Sequence, residues 1–308
     1  LNGGTLLIGQ VITTQANNVG GSRVFNFNSG TLKAAGTTTA FFNLGSGTGS
    51  ARANVRNGGA VINSNGFNVT IAQPLQHSNI SGDSATDGGL TKQGSGTLTL
   101  TGINTFTGAT AINGGTLALG ASGSIDYSSG VSLGTNGTFD VSAKGGYTVN
   151  QLTGSGTVLG ALTVSTELAI GNSPGTVDFG NSLTLGSSST YLYELVGGGS
   201  TADLGLVAGD LTIQAGAILN LAQLGTYTLG DKFTLFSYSG TRSGTFAGLA
   251  DDSTFTAGGG DWIINYDDTA AGFNGGSHAN FVTVTAVPEP AAALLGGVGI
   301  LALLRRRR

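Results

Sequence analysis

The chain has 308 residues, of which 56 are glycine, 9% are charged and none is cysteine or methionine; soluble domains are typically about 25% charged and about 7% glycine. No disulfide scaffold, thiolate metal site or cysteine nucleophile is available, the two histidines, His77 and His278, leave little for imidazole chemistry, and glycine without a three-residue period excludes collagen. The net charge of −4 is unevenly spread: residues 1–82 hold Arg23, Lys33, Arg52 and Arg56 and no carboxylate, residues 83–304 hold all sixteen acids, and Arg305 to Arg308 close the chain. No stretch pairs dense basic residues with interleaved aromatics, so no nucleic-acid partner is expected.

A chain without methionine that opens in mid-motif, at Leu1-Asn2-Gly3-Gly4, reads as N-terminally truncated. A Gly-Thr-apolar unit then recurs at Gly4, Gly30, Gly96, Gly115, Gly137, Gly156 and Gly175. From Gly96 the steps are 19, 22, 19 and 19 residues, and the earlier ones are looser. Each unit alternates like a half-buried strand. Leu98 and Leu100 face one way and Thr97 and Thr99 the other; Phe139 and Val141 face in while Asp140 faces out, and charged residues fall on the threonine side. Turns at Asn57-Gly58, Asn65-Gly66, Asn113-Gly114, Asn136-Gly137 and Asn274-Gly275 are expected to supply positive φ angles.

Short strands at a period of about 20 residues, without a sustained 3.6-residue period before residue 290, predict an all-β parallel solenoid over residues 1–186. Its nine or so rungs would make a rod on the order of 45 Å long. Leu98, Leu117, Phe139, Val158 and Val177 would form an internal apolar column. An antiparallel sandwich is the rival, but it has no reason to keep a 19-residue period. Residues 187–286 hold twelve of the 22 aromatics and are expected to form the last, wider coils and a β cap; a separate small β domain is the alternative.

The stretch Leu90-Thr91-Lys92-Gln93-Gly94-Ser95-Gly96-Thr97-Leu98-Thr99-Leu100-Thr101-Gly102, with Asn104 to Gly108 and Gly114-Gly115-Thr116-Leu117, resembles the autotransporter-associated β-strand repeat. The likeness is strongest over about residues 88–120 and weaker across 1–186. Gly171-Asn172-Ser173-Pro174-Gly175-Thr176 is similar to the turn near the end of such passenger regions. This resemblance implies a right-handed parallel β-helix exported through a Gram-negative inner membrane, with no enzymatic activity. No membrane barrel of alternating ten-residue strands fits the remaining tail.

The tail reads Val287-Pro288-Glu289-Pro290, then Ala291 to Leu304 without a charge, then Arg305-Arg306-Arg307-Arg308. It resembles a PEP-CTERM sorting signal, with all three parts in order. That implies export, transient inner-membrane retention through a short C-terminal transmembrane helix, and processing by an exosortase near the triplet. Pro288, Glu289 and Pro290 carry over as the recognition element and Arg305 to Arg308 as the retention element. Physically, fourteen residues in a helix span about 21 Å, short of the roughly 30 Å hydrocarbon core, and the arginines favour the cytoplasmic side. A plain tail anchor is the competing reading. Export would require a signal upstream of Leu1.

Parallel β-helices include polysaccharide lyases, so the candidate acids are Asp251-Asp252, Asp267-Asp268 and the pair Asp203 and Asp210. Adjacent strand residues point to opposite faces, so a doublet is not by itself a catalytic dyad. Gly258-Gly259-Gly260-Asp261 is an isolated fragment of a calcium-solenoid pattern, and a solvated acidic loop accounts for it as well. No catalytic residue, cofactor or metal site is expected. The expected function is that of an exported, non-enzymatic structural protein of the cell surface or extracellular matrix, with an exosortase, the inner membrane and exopolysaccharide as partners. A carbohydrate-binding adhesin using the threonine- and asparagine-rich faces is the alternative, and a β-helix polysaccharide lyase or hydrolase a further one.

Overall fold

The computed structural model describes residues 1–12, 21–45, 50–171, 174–196 and 201–288. The described chain is all-β: its strands form three sheets, and the sole helical element among these residues is a 3-10 turn at Ser142–Lys144. In the first sheet eleven parallel strands stack in chain order from Thr5–Ile8 to Arg242–Ser243, nine of them before residue 187. In the second, ten parallel strands run from Val11–Ile12 to Lys232–Tyr238. The chain alternates between the two sheets, so each strand pair is one turn of a coil, and the architecture is a parallel β-solenoid rather than an antiparallel sandwich.

Strand alternation builds the core. Val69, Leu98, Leu117, Phe139, Val158, Phe179, Val207 and Tyr238 are successive register partners along the second sheet, and none is more than 3% exposed. Burial of each such side chain contributes about 1.5–3 kcal/mol. Thr97, Thr116, Thr138 and Thr157 form the matching outward row. Gly96 opens its strand because rungs approach closely there: a Cβ would lie 2.0 Å from the Phe67 carbonyl oxygen.

Three expectations require correction. The 19-residue spacing predicts Val177 beside Val158, but Phe179 stacks there and Val177 sits opposite Gly156. The intervening coil contains the nine-residue strand Leu162–Ile170, longer than its predecessors, and the slip of two residues keeps the same face inward, so Val177 remains buried. Charged residues do not all lie on the threonine side, because Lys92 shares the inward face of Leu90–Gln93. The Asn-Gly turns also divide: Asn65, Gly66 and Gly275 take positive φ, Gly59 and Gly115 take it one residue later than expected, and Gly137 does not take it. Gly137 is required instead by space, since a Cβ would lie 2.3 Å from the Ile112 carbonyl oxygen.

Coil length follows the number of sides. Early rungs carry a third parallel sheet of Arg23–Phe27, Ala51–Val55 and Leu75–His77. Val69 and Leu98 are therefore 29 residues apart, whereas Leu98 and Leu117, without such a strand between them, are 19 apart. At Tyr147–Gly154 the first sheet forks. Leu152 to Gly154 stack on Val131–Leu133, while Tyr147 to Val149 start a new column continued by Leu162, Leu183 and Leu211. Beyond Lys232–Tyr238 the second sheet turns antiparallel through Asn280–Val287, Gly260–Asp268 and Thr254–Ala257. Phe233, Trp262 and Tyr266 are fully buried in this region.

Leu117→Asp is expected to cost about 4 kcal/mol or more, because a charge would enter the apolar column. Thr116→Asp, one residue away in the outward row, is expected to cost less than about 1 kcal/mol. Denaturant titration of the two variants separates these outcomes, and equal losses would contradict the strand phase.

Candidate functional site

The carboxylates singled out above are engaged separately. Asp251 Oδ1 accepts the Tyr266 N–H at 2.9 Å, and Asp252 Oδ1 accepts the Asn265 side-chain amide at 2.7 Å. Asp267 pairs with Arg242 and Asp268 with Lys232, each at 2.9 Å. Both carboxyls are held below the ordinary carboxylate range: the Arg242 hydrogen bond leads for Asp267, while for Asp268 burial works upward and is outweighed by Lys232, Ala270 and Thr283. Asp210 accepts the Thr241 N–H and hydroxyl at 2.7 and 2.8 Å. Asp261 follows the glycine hairpin and accepts the Thr256 hydroxyl at 2.6 Å. The doublets and the pair thus meet different partners. Among the described residues no group of three or more His, Asp or Glu side chains is arranged to hold a metal ion.

Three buried polar groups escaped the sequence reading. Lys92, 0% exposed, stacks in register between Ile62 and Ile112. Its ammonium donates to the carbonyls of Gln93, Gly94 and Gly114 at 3.0, 2.7 and 3.0 Å, tying the corners of two adjacent rungs. Burial pushes its amine down to about 8. Asp87 lies 2.9 Å from His77 Nδ1 and accepts N–H groups of Gly89, Thr107 and Gly108 at 2.8, 2.8 and 3.0 Å. Burial works to raise this carboxyl, but the N–H groups of Thr107 and Gly108 and the His77 contact outweigh it and hold it low. A hint was present, since Lys92 breaks an otherwise apolar inward phase.

Asp203 is the third. Its carboxylate accepts the Gly175 N–H at 3.0 Å and the Glu194 N–H at 2.8 Å, and its carbonyl accepts the Asn274 amide at 3.0 Å. Asn274 also donates to the Thr234 carbonyl at 2.7 Å, so Asp203 links the turn before Gly175 to the antiparallel strands. Burial, chiefly, pushes its carboxyl up to about 7, against the two N–H donors and with Glu194 nearby.

The sorting residues lie at the end of the last strand. Val287, half-buried, pairs with Asp261, and Pro288 is exposed just beyond. Both line a groove of about 150 Å³ with Thr254, Phe255, Thr256 and Asp261. Glu289, Pro290, the run from Ala291 to Leu304, and Arg305, Arg306, Arg307 and Arg308 lie outside the described residues, as does the expected transmembrane helix. No helix among the described residues is long and apolar enough to cross a membrane.

The perturbed groups set a pH dependence. The native Asp203 carboxyl titrates above its unfolded value near 3.8, so the folded state binds the extra proton between these limits. Stability is therefore expected to fall as pH rises from about 4 to about 7, by on the order of 4 kcal/mol. Lys92 is lowered from 10.5 to about 8, so it acts in the opposite sense: stability rises from about pH 8 to about 10.5. Denaturation midpoints across pH, with Asp203→Asn expected to flatten the acid limb, check both limbs. An unchanged slope in that variant would remove Asp203 as the cause.

A family model described as a passenger-associated-transport-repeat matches residues 90–119. The match spans the strands Leu90–Gln93, Thr97–Leu100, Thr110–Ile112 and Gly115–Leu119, two steps in each long sheet, and contains Lys92 and its acceptor Gly114. No curated protein matches the chain. The repeat supports the resemblance to autotransporter-associated β-strand repeats and suggests a passenger-like protein that is exported or displayed at a surface.

Proposed function

We propose that this chain is an exported, non-enzymatic structural protein of the cell surface or extracellular matrix, sorted by its C-terminal tail and processed by an exosortase. In this reading residues 1–186 are a right-handed β-helical rod, residues 187–286 its terminal coils and cap, and residues 287–308 a PEP-CTERM sorting signal. The observation that carries the proposal is the junction of two features in one chain. A passenger-associated repeat occupies residues 90–119, and a Pro-Glu-Pro, apolar run and arginine cluster follow directly on the last strand, Asn280–Val287.

Physical chemistry supports the division of labour. The strand ladder reaches Val287, so the folded body is complete where the triplet starts, and removal of the tail costs the sheet nothing. A glycine-interrupted run of fourteen residues is short for a lasting anchor. Arginines behind it would hold it transiently with its end in the cytoplasm. The dispersed, individually engaged acids favour a non-enzymatic body over a lyase or hydrolase.

In a host with an exosortase, mature protein is expected to lack Ala291 to Arg308 and to be recovered outside the inner membrane. Pro288→Ala combined with Pro290→Ala should leave an uncleaved inner-membrane form, and serine at Arg305 to Arg308 should weaken retention. Intact-mass measurement of the surface fraction reads the result. Mature protein that still carries Arg308 would contradict sorting and leave a tail anchor.

A further inference from the structure

The fork of the first sheet leaves an open strand edge. Tyr147 to Val149 start a new column, and the ladder toward Val131–Leu133 begins only at Leu152. Ladder bonds of a central parallel strand alternate, residue by residue, between its two neighbours. The Tyr147 N–H is taken by Ala161 at 3.0 Å on the following rung, so the N–H and C=O of Thr148 turn toward the preceding rung, where a loop replaces a strand. A groove of about 200 Å³ occupies that position, lined by Asp126, Ser128, Gly130, Thr148 and Asn150, with Ile125, Val131 and Val149 as its apolar wall.

The groove presents complementary groups for a polyhydroxylated ring. Asp126 Oδ1 is oriented by the Tyr147 hydroxyl at 2.6 Å, which leaves Oδ2 directed to solvent as an acceptor. Asn150 is held by donation to the Ser128 carbonyl at 3.2 Å. Tyr127, between the lining residues Asp126 and Ser128, is 61% exposed, an unusual exposure for an aromatic that has a core to enter. An aromatic face beside a carboxylate and a carboxamide suits a sugar, whose ring offers an apolar C–H face and a hydroxylated edge.

The same fork supplies a path away from the groove. Thr148, Thr163, Thr184, Thr212 and Ser243 are in-register partners on five successive strands. They form an uncharged hydroxyl column rising about 4.8 Å per rung. An acidic polymer laid on this face would meet Asp126 and Asp210 and be repelled; a neutral one would not. We propose that this face binds an extended neutral glycan, one sugar seated in the groove against Tyr127 and the following sugars lying along the hydroxyl column. This goes beyond sorting and does not depend on the tail.

Calorimetry of the full chain in mild detergent with cellohexaose, cellobiose and an acidic alginate hexamer tests the proposal. Cellohexaose is expected to bind more tightly than cellobiose, and the acidic hexamer not to bind. Tyr127→Ala and Asp126→Asn should each weaken cellohexaose binding about tenfold, the effect of losing one stacking or hydrogen-bonding contact. Thr184→Val should weaken the hexamer alone, and all three variants should keep the parent melting temperature. Absence of cellohexaose binding, equal affinity for the acidic hexamer, equal affinity for cellobiose, or full binding by Tyr127→Ala would each overturn it. These outcomes leave localisation and mature mass untouched, so failure of the glycan site is separable from failure of the sorting reading.

Discussion

The structure depends on one constraint: each rung must present its apolar residues in register with the rung below, so that the inward column is continuous. Parallel stacking meets this cheaply because a strand of one coil is hydrogen-bonded along its whole length by the next. The column from Val69 to Tyr238 along the second sheet is the direct expression of that rule. Everything else varies around it. Rungs gain a third side early, lose it over the repeat at residues 90–119, and gain another where the first sheet forks at Tyr147. Each gain lengthens the coil without changing the face that points inward.

Polar groups enter this interior only where backbone groups receive them. Lys92 is matched to three carbonyl oxygens at the rung corners, and Asp87 and Asp203 to backbone N–H groups. Coil turns leave such groups unpaired, and a buried side chain of the right sign satisfies several at once. The chain carries few charges, and these three are spent at corners and junctions rather than at a common reaction centre. Such use fits a protein whose body is a scaffold, with its outer faces and its tail left to make contacts.

Much of this was legible from period and alternation. Inward Leu98, Leu117, Phe139 and Val158 could be read because a strand's side chains alternate with period two, and the 19-residue steps identified coils. Val177 was misplaced for a physical reason: Gly-Thr-apolar spacing marks where a strand starts, not which residue lies above which. A longer coil between two starts shifts the stacking by two residues while preserving burial. Lys92 was hidden because a charge on an inward phase contradicts the alternation rule unless acceptor carbonyls lie nearby, and those are tertiary. The groove beside Thr148 was equally hidden, since it arises from the absence of a strand on the preceding rung. The tail, by contrast, is a linear pattern, readable without any fold.

The register at the first widened coil tests the account most directly. The chain has no cysteine, so an introduced pair reports without background. Thr157 and Asp178 are register partners, which puts their Cα atoms about 4.8 Å apart, within disulfide reach. Thr176, the partner that a strict 19-residue repeat would choose, lies two residues out of step, at about 8 Å and beyond reach. Under mild oxidation, Thr157→Cys with Asp178→Cys is predicted to close a disulfide without loss of stability, while Thr157→Cys with Thr176→Cys stays reduced. Efficient closure of the second pair and failure of the first would contradict the stacking on which the fold rests.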